Sequence, residues 1–157
     1  MYNLEMNTKV ISAFPGTGKT FFVNSVKDDR TVLDLDSSRY TRGHDINGRA
    51  ISRDFPTNYT NAIKEQLGCV DILFVSIHKE VMIALFEEDI KFSLVYPDNR
   101  LKHEYLDRFK LRGSPDSFVN LFSKNWDVSL EQLKSQKGCR HIVLKSNEYI
   151  SDIVRLL

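Results

Sequence analysis

Between Lys9 and Val23 the apolar run Lys9-Val-Ile-Ser-Ala13 passes into Phe14-Pro-Gly-Thr-Gly-Lys-Thr20 and at once into Phe21-Phe-Val23. That order constrains the chain more than any other segment, because it demands a buried strand, a tight turn and a helix in succession. Gly16 and Gly18 reach backbone conformations closed to other residues. A turn of that kind at a helix N-terminus aims several backbone N–H groups outward, and a chain of phosphate oxygens is the ligand that suits them. Lys19 can then reach the β- and γ-phosphates, and the Thr20 hydroxyl can coordinate Mg²⁺. Gly16, Thr17, Gly18, Lys19 and Thr20 are therefore the expected ATP-binding residues, with Lys19 also catalytic. ATP and Mg²⁺ are the expected cofactors. Ala13 occupies the position of the first glycine in the strict pattern, and a chance Gly-Lys-Thr turn is the bland alternative.

Five short runs rich in β-branched or aromatic residues read as strands: Lys9 to Ala13, Thr31 to Leu35, Asp71 to Ile77, Phe92 to Tyr96 and His141 to Lys145. Their hydrophobicity is nearly continuous, as expected of parallel strands covered on both faces. Apolar residues at three- and four-residue spacing predict helices over Thr20 to Val26, Tyr59 to Leu67, Lys79 to Phe86, Leu101 to Leu111, Phe118 to Leu133 and Tyr149 to Leu157. The alternation implies one α/β layered domain over residues 1–157.

Two intervals interrupt the alternation. Ser37 to Pro56 is long, mostly polar and carries Arg39, Arg42, Arg49 and Arg53, which makes it the first candidate for a substrate-binding insertion. Residues 98–137 hold a charged helix, a Gly113-Ser114-Pro115 break and a second helix with the only tryptophan, Trp126; this pair could form a helical lid.

Composition excludes more than it selects. Twenty-two Lys and Arg against 21 Asp and Glu give a net charge of +1, so no global field favours a polynucleotide or a membrane surface. No apolar stretch is long enough to cross a bilayer, and the first residues lack the features of a signal peptide. A cytoplasmic protein is expected. Cys69 and Cys139 each follow a glycine and read as reduced thiols packed at strand starts. Four scattered histidines give no zinc-ligand spacing.

Phe14-Pro-Gly-Thr-Gly-Lys-Thr20, Leu33-Asp-Leu-Asp-Ser-Ser38, Phe74-Val-Ser-Ile-His-Lys-Glu80 and Leu94-Val-Tyr-Pro-Asp98 resemble blocks of small phage-encoded P-loop nucleotide kinases, the deoxynucleoside monophosphate kinase and adenylate kinase-like proteins. The likeness continues through Ser123-Lys-Asn-Trp-Asp127 and Gly138-Cys-Arg-His-Ile-Val-Leu144. It implies a three-layer P-loop NTPase fold with a five-stranded parallel sheet in the order 2-3-1-4-5 and a mobile lid. In such kinases lid arginines close over the phosphates. Arg100, Arg108 and Arg112 follow the fourth strand here, and Arg108 and Arg112, four residues apart, share a helix face. The simpler account of them is a solvated face paired with Glu104 and Asp107. The loop after the last strand lies beside adenine in related folds, which makes Ser146 and Asn147 candidates for base contacts, or else helix caps.

Asp34 and Asp36 stand at the carboxyl end of the second strand, and one of them is expected to face the site. Asp36 is the expected one, as metal ligand, sugar contact or base, with an Asx turn as the alternative. The third strand ends in Ser76-Ile-His78 where many P-loop enzymes carry an acid, leaving His78 as a substrate contact or a cap. Arg39 and Arg53 are the expected holders of the acceptor phosphate. The expected activity is phosphoryl transfer from ATP to a nucleoside or deoxynucleoside monophosphate, by a monomer or homodimer. The rivals are a polynucleotide 5′-hydroxyl or modified-base kinase with Asp36 as base, and a non-catalytic ATP-binding switch.

Overall fold

The computed structural model describes residues 7–26, 29–42 and 52–156. Arg49, with the rest of positions 43–51 of the expected insertion, lies outside the described residues, as does Leu157. Five strands, β1 (Lys9–Ala13), β2 (Val32–Asp34), β3 (Ile72–Val75), β4 (Ser93–Pro97) and β5 (Arg140–Leu144), form one parallel sheet in the order β2-β3-β1-β4-β5. The expected sheet order is thus observed.

Alternate residues of the central strands feed two cores. Val10, Leu73, Val75, Leu94 and Tyr96 point to one face, where α3 (Thr57–Gln66), α4 (Lys79–Glu87), α5 (Lys102–Leu111) and α6 (Asp116–Lys134) cover them. Ile11, Ala13, Ile72, Phe74 and Val95 point to the other, beneath α1 (Lys19–Ser25) and α7 (Ile150–Ile153). Burial on both faces explains the unbroken apolar runs. Ala13 lies in β1 beside Val95 and is buried, so a small side chain is accommodated where the strict motif has glycine.

The expected lid helices form part of the larger core. Trp126 of α6 is 1 % exposed, packs edge-on against Phe14 at 5.6 Å, and donates its indole N–H to the Asn99 carbonyl at 2.8 Å. Tyr105 and Phe109 of α5 are fully buried, and burying such a side chain contributes about 1.5–3 kcal/mol. Arg108 of α5 and Arg112, the residue that caps its C-terminus, face the cavity in front of the glycine-rich loop.

Three local expectations are corrected. The Ser37 to Pro56 interval contains a short helix, α2 (Ser38–Thr41), because the Asp36 carboxylate accepts the Ser38 amide and seeds a turn. The last helix is one turn, α7, followed by a 3₁₀ turn, Val154–Leu156. Cys69 is exposed instead of packed, although both cysteines are free thiols.

Candidate functional site

The turn after β1 has the backbone its sequence calls for. Gly16 has φ 82° and Gly18, the residue capping α1, has φ 92° and ψ 25°. Conformation is only half of the requirement. A Cβ at Gly16 would come within 2.9 Å of the Phe109 ring, and one at Gly18 within 3.0 Å of Tyr149, so aromatic side chains from α5 and the β5–α7 loop press on the loop from behind. The Thr17 hydroxyl donates to the Phe14 carbonyl at 2.7 Å, and the Thr17 carbonyl accepts the Ile150 amide at 2.9 Å. Thr17 is completely buried. Its side chain therefore holds the loop together, and only its main chain is left for the ligand contact expected of it.

In front of the loop is a cavity of about 410 Å³. Gly16, Gly18, Lys19 and Thr20 line one side, and Asp34, Arg108 and Arg112 line the others. The Arg112 Nε donates to the Ser114 hydroxyl at 2.9 Å, and its guanidinium stands over Phe109 and Phe118 at 5.0 and 5.3 Å. Partial burial lowers the Arg112 pKa, yet guanidinium remains charged at working pH. Its two terminal nitrogens make no hydrogen bond among the described residues.

Arg108 is held differently. Its Nη1 donates to the Gly16 carbonyl at 2.9 Å, and its guanidinium lies over Tyr105 at 4.4 Å and Tyr149 at 4.0 Å. Glu104, one turn earlier, approaches Arg108 at 3.6 Å and accepts from the Asn147 amide at 3.0 Å and the Ser146 hydroxyl at 2.9 Å. The pair is mostly shielded, with side chains 12 % and 24 % exposed, so it is not the solvated surface pair considered from sequence. Arg108 Nη2, Glu104 Oε2 and the Tyr105 hydroxyl are buried without hydrogen-bond partners. Burial pushes the Tyr105 hydroxyl up to about 12, so it stays protonated. Asn147 has φ 60° and gives its amide to Glu104; Ser146 is likewise engaged.

The residues expected to contact an acceptor are not gathered in this cavity. β2 ends at Asp34, so strand alternation does not extend to Asp36. Asp34 lines the cavity, and its carboxylate makes no hydrogen bond or ion pair among the described residues. Asp36 instead accepts from the Ser38 amide at 2.9 Å and the Ser38 hydroxyl at 2.8 Å. Those hydrogen bonds, with the charges of Lys19 and Arg39, hold its carboxyl below the usual range. Arg39 is therefore close to Asp36, whereas Arg53 is exposed and does not line the cavity. Arg100 does not line the cavity; its Nε and Nη2 donate along one guanidinium edge to the two Asp98 carboxylate oxygens, each at 3.1 Å. His78 caps α4, its Nδ1 2.9 Å from the Ser76 hydroxyl and its ring against Phe55 at 5.2 Å.

The chain matches no protein-family model, and no curated protein matches it. The site therefore rests on its own atoms. Among the described residues no group of three His, Cys, Asp or Glu is placed to hold a metal ion, and no helix is long and apolar enough to cross a membrane. Mg²⁺ needs no such group, since it is commonly held by one or two protein oxygens with water and phosphate. Glu104, Tyr105 and Tyr149 stand at the candidate site although sequence alone gave them no role in it, and Asp34 was named there but ranked behind Asp36. Only Asp34 and Glu104 carried a signal, the first by its place in the second strand and the second by its i,i+4 spacing from Arg108.

Proposed function

We propose that this chain is a small P-loop phosphotransferase that moves a phosphoryl group from ATP to a nucleoside or deoxynucleoside monophosphate. The observation that carries the reading is the single cavity into which the glycine loop, Lys19, Thr20, Asp34 and Arg112 converge. Backbone amides and a lysine suit the donor phosphates, and a hydroxyl with a nearby unpaired carboxylate suits hydrated Mg²⁺. When bound, Mg·ATP supplies the transferable group and neutralises part of its charge. Thr20 and Asp34 would hold the metal, and Lys19 would hold phosphate oxygens. Arg112 is free to meet negative charge that develops in transfer. Arg108 braces Gly16 and thereby fixes the cradle.

An acceptor phosphate is already ionised and needs no strong base, whereas a hydroxyl acceptor does. Asp36 is a weak base, because Ser38 engages both of its oxygens and its pKa is lowered. This supports a monophosphate acceptor over the 5′-hydroxyl or modified-base kinase with Asp36 as base.

The test is to incubate the protein with ATP and Mg²⁺ against the common ribo- and deoxyribonucleoside monophosphates and a 5′-hydroxyl oligonucleotide, with Lys19→Ala as control. Nucleoside diphosphate that disappears in the control supports the proposal. A phosphorylated oligonucleotide supports the hydroxyl-kinase rival. ATP binding without product on any acceptor returns the chain to a nucleotide-binding switch.

A further inference from the structure

The ladder between β2 and β3 stops where its next rung would form, and a side chain takes that rung's place. Val32, Leu33 and Asp34 pair with Ile72, Leu73 and Phe74, and the Leu35 amide still donates to the Phe74 carbonyl at 2.9 Å. In a parallel ladder the residue that donates this bond accepts the next one through its own carbonyl. The next rung would therefore run from the Ser76 amide to the Leu35 carbonyl. Instead, the Ser76 amide donates to the Tyr59 hydroxyl at 3.0 Å, and that hydroxyl donates to the Leu35 carbonyl at 2.6 Å.

The inserted group is rigidly placed. Tyr59 is fully buried in α3, and its ring packs against Tyr40 at 5.3 Å and Phe55 at 6.0 Å. Burial raises its pKa, so the hydroxyl keeps the proton it gives to Leu35. Ser76 is fixed on its other sides as well: its carbonyl accepts from the Ser12 hydroxyl and its hydroxyl meets His78, both at 2.9 Å. Asp36 follows Leu35 directly, close enough to Lys19 to feel its charge. The carboxyl ends of parallel strands are where open α/β sheets receive ligands.

We propose that Tyr59 is a positioning residue: its hydroxyl replaces a ladder rung, sets the spacing between the ends of β2 and β3, and so positions the acceptor monophosphate at the Asp34 side of the cavity in front of the glycine loop. This rests on the phosphotransferase reading above. Tyr59 touches neither donor nor acceptor. It acts through the separation of two backbones.

The deciding variant is Tyr59→Phe, which keeps the ring and deletes the spacer. The direct rung can then form, and the scalar coupling across a hydrogen bond between the Ser76 nitrogen and the Leu35 carbonyl carbon, absent in the wild type, appears in the NMR spectrum. The acceptor KM rises about tenfold or more while ATP affinity stays within about twofold, a split that general destabilisation would not produce. A new coupling with an unchanged acceptor KM overturns the seat, and equal loss of donor and acceptor binding overturns the positioning role. Should Tyr59→Phe not fold, a Ser76 to Leu35 coupling already present in the wild type overturns the wedge. A wild-type protein that binds ATP but phosphorylates no acceptor removes the seat together with the reading beneath it, and the coupling then reports on the wedge alone.

Discussion

Arg108 donates a hydrogen bond from Nη1 to the main-chain oxygen of Gly16 across 92 positions of sequence. The same guanidinium is sandwiched between Tyr105 and Tyr149, and Glu104 ties it to the backbone of Asn147. Three segments distant in sequence thus share one cation, and the loop in front of the cavity takes its shape from all of them.

Replacing Arg108 by Ala removes a charge-assisted hydrogen bond and two ring contacts and leaves the Glu104 carboxylate partly buried. The expected loss of stability is about 2–3 kcal/mol. Arg108→Lys recovers less than half of it, because ammonium lacks the flat face that fits between two rings. Denaturant unfolding checks this, and an Arg108→Ala midpoint equal to wild type would show that the brace carries no weight.

Arg112→Ala has the opposite profile. Among the described residues its guanidinium meets only the Ser114 hydroxyl and two ring faces, so stability falls by less than about 1 kcal/mol. The phosphoryl-transfer rate falls by about a hundredfold or more, as when one preorganised donor is withdrawn from developing charge. Single-turnover kinetics at saturating ATP measures the rate, and a variant that keeps the wild-type value removes Arg112 from the chemistry.

Asp34 and Asp36 are separated by parallel substitutions to Asn. Asp34→Asn is expected to raise the Mg²⁺ concentration needed for half-maximal transfer by about tenfold, since the carboxylate in the cavity is lost. Asp36→Asn leaves that requirement within about twofold. A magnesium titration that ranks them in the reverse order restores Asp36 to the metal site.

Asp36→Asn also has a signature in pH. The Asp36 carboxyl is lowered from its ordinary value of 3.8 by the Ser38 hydrogen bonds. A depressed folded-state pKa stabilises the protein above the unfolded value, and this contribution vanishes as pH falls through the folded value. The stability gap between wild type and Asp36→Asn is therefore largest near neutrality and closes in acid, beginning below about pH 5. A gap that widens as pH falls from 6 to 3 would contradict the assignment.

Most of the fold was legible because its signals are local. Phe74 and Val95 belong to unbroken apolar runs that only a sheet covered on both faces explains, and Gly16 to Thr20 stand between such a run and a helix. The rest depended on partners that no period encodes. Asp36 was preferred to Asp34 because nothing in the local sequence distinguishes a carboxylate open to a ligand from one that Ser38 draws into a turn beyond the strand end. Glu104 read as a surface partner of Arg108, since nothing near it in sequence announces Asn147. The closing helix was overextended because Ile150 and Ile153 fit the helical spacing while the chain tightens into a 3₁₀ turn after them.

The crowding behind the glycine loop bears on how such a chain can evolve. At position 18 glycine answers two demands, a left-handed backbone and a ring at 3.0 Å. Shrinking Tyr149 relaxes only one of them, so mutational drift at 149 does not unlock position 18. Gly113 shares the left-handed geometry, with φ +82°, but a Cβ there would meet nothing within 4 Å. Asparagine, which tolerates the left-handed conformation, can take that place without any change in a neighbouring side chain. Two glycines of the same conformation are thus under unequal constraint, and the difference is written in side chains that neither neighbours in sequence.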